Sequence, residues 1–64
     1  STTRLSDLIV RNPQLLSFPE LLEAVGRHGK DGATMLEVDI KPDFPDTPRN
    51  WETQIETAFT WWGR

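Results

Sequence analysis

The sequence predicts a small α+β domain, mostly helical, in the order α-α-β-α. Three observations carry this: helical spacing of apolar residues in two early segments, one short stretch alternating apolar and acidic residues, and a helix-patterned end at residues 51–64 that holds all three tryptophans. The 64 residues are read as a single domain, 1–64. Domains of this size bury only about 60% of their extended-chain surface, so they rely on staples or on dense packing. Cysteine is absent and His28 is the only histidine, which rules out disulfides and gives a zinc site little support. Aromatic packing, or association with another chain, is what remains.

The first segment, residues 3–11, puts Leu5, Leu8 and Ile9 at helical spacing behind Thr3 as N-cap. Leu8-Ile9-Val10 also reads as a short strand, with helix favoured. Asn12-Pro13 ends the segment, because a residue before proline is pushed out of the α region. The second helix, residues 17–28, opens with Ser17 and Glu20 at capping-box spacing and Pro19 in the first turn, where a missing N–H costs nothing. Leu16 and Leu21 are placed as a hydrophobic staple. Phe18, Leu21, Leu22, Ala24, Val25 and His28 form its apolar face. Gly29 is expected just past the helix end, and Gly26 marks a close helix crossing or an early end.

After the turn Lys30-Asp31-Gly32, Leu36, Val38 and Ile40 alternate with Glu37 and Asp39, the period-two signature of a half-buried strand. Pro42 and Pro45 then break regular structure, with Phe44 between them as an anchor. Thr47 or Asp46 is expected to cap the last helix, with Pro48 in its first turn. A single strand leaves its N–H and C=O groups without a ladder partner. Three solutions stand open: a second strand at residues 8–10 or in another short stretch, pairing with a second copy, or addition to another protein's sheet.

In the last segment Trp51, Ile55, Ala58 and Trp62 fall on one helical line. Phe59 and Trp61 lie about 80° to either side, counting about 100° per residue. A narrow contact cannot cover both neighbouring tryptophans. Trp51, Ile55 and Trp62 are therefore assigned to the core and Trp61 to a partner, since tryptophan is enriched at binding hot spots. Phe44 and Phe59 complete the candidate aromatic surface, and Glu37 and Asp39 are the candidate acidic contacts for a basic partner.

No motif carries catalysis. His28 lacks a recognisable nucleophile or carboxylate spacing and is read as structural. Asp39, Asp43 and Asp46 fail the pattern of a calcium loop, because prolines interrupt it. The glycine-flanked turn after His28 follows a helix and precedes a strand, the reverse of a phosphate loop. The formal charge is −3, and the seven basic residues are scattered singly, unlike a nucleic-acid footprint. No apolar run approaches the roughly 20 residues of a membrane span. The N-terminal residues lack the charged-then-apolar layout of a secretory signal, so a cytoplasmic location is expected.

The expectation is thus a non-enzymatic protein–protein interaction module: an accessory subunit, adaptor or inhibitor, including a non-catalytic subunit of an enzyme complex. Its partner is another protein or a second copy, with no cofactor, small molecule or membrane indicated. The alternative rests on element order, which loosely resembles a winged-helix domain and would imply nucleic-acid binding. Against it, the final helix carries Glu52 and Glu56 where phosphate contact needs Lys or Arg.

Overall fold

The computed structural model describes residues 2–32 and 35–61. Strand β1 (Thr2–Arg4), helix α1 (Leu5–Arg11), helix α2 (Phe18–Lys30), strand β2 (Met35–Glu37) and helix α3 (Trp51–Trp61) follow in that order. The domain is α+β and mostly helical, but its order is β-α-α-β-α. The ladder partner that the sequence lacks is β1, which pairs with β2 in parallel, Thr2 opposite Met35, Thr3 opposite Leu36 and Arg4 opposite Glu37. Parallel pairing needs a long crossover, and α1 with α2 supplies it. Leu8-Ile9-Val10 is helical.

Recruiting Thr3 into the sheet corrects the expected start of α1. Arg4, extended at φ −93° and ψ 140°, occupies the N-cap position and makes no side-chain cap. The cap comes from Asp39: its Oδ1 accepts the Ser6 N–H at 3.0 Å and its Oδ2 accepts the Ser6 hydroxyl. At the other end Asn12 closes α1, and its Nδ2 donates to the Leu8 carbonyl at 2.7 Å.

Helix α2 starts as its sequence dictates. Ser17 Oγ accepts the Glu20 N–H at 3.4 Å and donates to the Glu20 carboxylate at 2.8 Å. A second cap arrives from Asp46, whose Oδ1 accepts the Phe18 N–H at 2.8 Å. Leu16 is 76% exposed and makes no staple with the fully buried Leu21. The helix continues through Gly29 to Lys30, past its expected end. Gly29 is there for packing: a Cβ on it would sit 2.6 Å from the Phe59 carbonyl oxygen and 3.2 Å from the Phe59 ring. The left-handed turn falls instead on Gly32, at φ +105°.

Strand β2 is shorter than the alternation at residues 36–40 suggests. Its partner turns into α1 at Leu5, so nothing continues the ladder beyond Glu37. The proline-rich connection then lies against the core, with Pro42 fully buried and Phe44 packed on the buried cluster. Neither expected cap serves α3. Asp46 holds α2, while Thr47 Oγ1 accepts the Phe44 N–H at 3.2 Å. Helix α3 begins three residues after Pro48, preceded by Asn50, whose Oδ1 accepts from Gln54 Nε2 at 2.9 Å.

Leu5, Leu8, Phe18, Leu21, Val25, Ile55 and Ala58 are buried together, and Leu36, Val38, Trp51 and Phe59 pack on them. Fully burying a side chain of this size stabilises by roughly 1.5–3 kcal/mol, so the α2–α3 contact dominates the fold. Trp62, assigned to the core from its helical position, lies outside the described residues.

Candidate functional site

Helix α3 has two unlike sides. Trp51, Ile55, Ala58 and Phe59 face inward; Ile55 is fully buried. Of the two residues flanking the apolar line, Phe59 turns to α2 and meets Gly29, while Trp61 stays 61% exposed. Beside the line, Leu22 of α2 and Thr53, Gln54, Thr57 and Ala58 of α3 line a shallow groove of about 290 Å³. Counting about 100° per residue, Trp61 points between Thr57 and Gln54, one turn beyond the groove residues.

The remaining candidate residues are not gathered around Trp61. Phe44 and Phe59 are half-buried and pack on the core. Glu37 pairs with Arg4 across the sheet at 3.2 Å, an exposed ion pair of little net energy. Asp39 holds α1. The Ser6 hydroxyl, then the Ser6 N–H, lower the Asp39 carboxyl below its ordinary value, and the Arg4 charge adds to this.

His28 Nε2 and Thr3 Oγ1 are hydrogen-bonded, tying the last turn of α2 to β1. No carboxylate orients the ring's other nitrogen among the described residues. A second groove, about 310 Å³ between α1 and α2, includes Leu8, Asn12, Leu15, Glu23, Arg27 and His28. Glu23 and Arg27 pair with each other there at 2.6 Å, and Leu8, Leu15 and His28 belong to the fold's own contacts.

Among the described residues no group of His, Cys, Asp or Glu is arranged to hold a metal, and no helix is long and apolar enough to cross a membrane. Sequence reasoning did not single out the groove-lining Thr53 and Thr57 as site residues, although they lie eight and four residues before Trp61 on one face. Compared with protein-family models, curated proteins and solved structures, the chain matches none of them.

Proposed function

We propose that the chain is a protein-binding module that uses the outer side of α3. The observation that carries this reading is Trp61, 61% exposed one helical turn after Thr57 of the groove formed with Leu22. A large apolar ring with one donor, set beside a shallow uncharged depression, is the kind of anchor found at interface hot spots. The nucleic-acid alternative draws less support. The described strands form a parallel pair with no hairpin, and α3 contains no basic residue.

Affinity capture with the wild-type chain and with Trp61→Ala, alongside mass measurement across concentrations, tests the reading. The expected result is a captured protein, or a concentration-dependent dimer, that Trp61→Ala loses while the thermal midpoint stays nearly unchanged. Equal capture by both chains, a large stability loss on substitution, or retention of nucleic acid alone would overturn it.

A further inference from the structure

We propose that the outer side of α3 takes a basic amphipathic segment of another protein, with an apolar side chain in the groove beside Trp61 and Lys or Arg side chains over Glu52 and Glu56. This rests on the protein-binding reading and names the chemistry of the partner.

Several acids among the described residues have a partner within the fold. Asp7 pairs with Arg11 at 3.1 Å on α1, and Glu23 pairs with Arg27 at 2.6 Å on α2. Glu37 pairs with Arg4 across the sheet, and Asp39 and Asp46 cap helices. Outside the helices the Asp31 and Asp43 carboxylates also lack a partner among the described residues, but among the helices only α3 leaves its acids so. Glu52 and Glu56 are exposed, the helix holds no basic residue, and neither acid has an ion pair among the described residues. Four residues apart, the two carboxylates repel each other. A cation laid across them would relieve that repulsion.

Position gives the charge its meaning. Counting about 100° per residue, the exposed arc of α3 runs from Glu52 and Glu56 at one edge, through Thr60, Thr53 and Thr57, to Trp61 at the other. The middle of the arc is short threonine side chains, low enough for a second backbone to approach. One edge is acidic and the other is apolar and opens on the groove. An amphipathic helix with apolar residues three and four apart and a basic flank matches both edges at once. A second copy does not, because the same face of another copy offers no basic residue from α3 to meet Glu52 and Glu56.

The test uses the full chain, labelled with 15N, and a synthetic leucine–lysine amphipathic peptide, with matched peptides carrying glutamine or glutamate in place of lysine. The lysine peptide should shift the amides of α3 and Leu22, and bind more weakly at about 0.5 M salt than at about 0.1 M. The double substitution Glu52→Gln with Glu56→Gln should weaken it about tenfold while the thermal midpoint holds. Shifts centred on the α1–α2 groove, or affinity unchanged by the double substitution, would overturn the proposal. Equal binding of the glutamine peptide at α3, or dimerisation through this face, would also overturn it yet leave the protein-binding reading intact. Failure of every peptide together with unaltered capture by Trp61→Ala would remove both.

Discussion

The connection between β2 and α3 and the outer side of α3 are both acidic, and they use their acids in opposite ways. In the connection, Asp39 accepts two hydrogen bonds from Ser6 and Asp46 accepts one from Phe18, while Asp43 between them is exposed. On α3, Glu52 and Glu56 face solvent with no ionic partner among the described residues. Acidic composition alone therefore does not mark a binding surface. What separates the two regions is whether free helix donors stand within reach of each carboxylate.

Substitutions on the two sides of α3 and at the caps carry unequal expected effects. Ile55→Ala, on the inner side of α3, should cost about 2–5 kcal/mol as a buried truncation; calorimetric unfolding measures it against Trp61→Ala on the outer side. Gly29→Ala forces a methyl toward the Phe59 backbone and should destabilise by about 1–3 kcal/mol through overpacking, read from the urea midpoint. If the Gly29 variant unfolds like the wild type, the α2–α3 packing described above is wrong. Asp46→Ala should lose about 1 kcal/mol, as capping residues do, with the Phe18 amide losing exchange protection.

The smallest effect concerns pH. The Asp39 carboxyl is held below its ordinary value of 3.8, first by the Ser6 hydroxyl and then by the Ser6 N–H. A depressed carboxylate stabilises the fold above its unfolded value, and that contribution fades as pH falls through the lower folded value. Asp39→Asn should therefore flatten the acid limb of a stability-against-pH curve below about pH 4. Glu52→Gln, whose carboxylate accepts no hydrogen bond among the described residues, is the matched control.

Legibility in the sequence follows the range of each interaction. The start of α2 was readable because Ser17 and Glu20 satisfy each other within one turn. The same holds for the end of α1, which stops before Pro13. Helical spacing puts both Phe59 and Trp61 at the margins of the apolar line, and only the side on which α2 packs decides that Phe59 is covered and Trp61 exposed. Strand β1 was not readable: its three residues carry no alternation, and its partner lies 33 positions away. The two distant caps share that difficulty, spanning 33 and 28 positions, so no local motif announces them. Gly29 looked like a helix terminator because glycine serves both ends and crossings, and only the approach of Phe59 distinguishes them.

The two distant caps also bear on how the chain reaches its fold. Helices α1 and α2 lie in the first half of the sequence, yet an N-terminal donor of each is satisfied only by the segment that follows β2. Short helices are marginal on their own, and these remain incompletely terminated until that segment docks. Termination of both helices is therefore coupled to docking of that segment, each cap contributing about 1 kcal/mol.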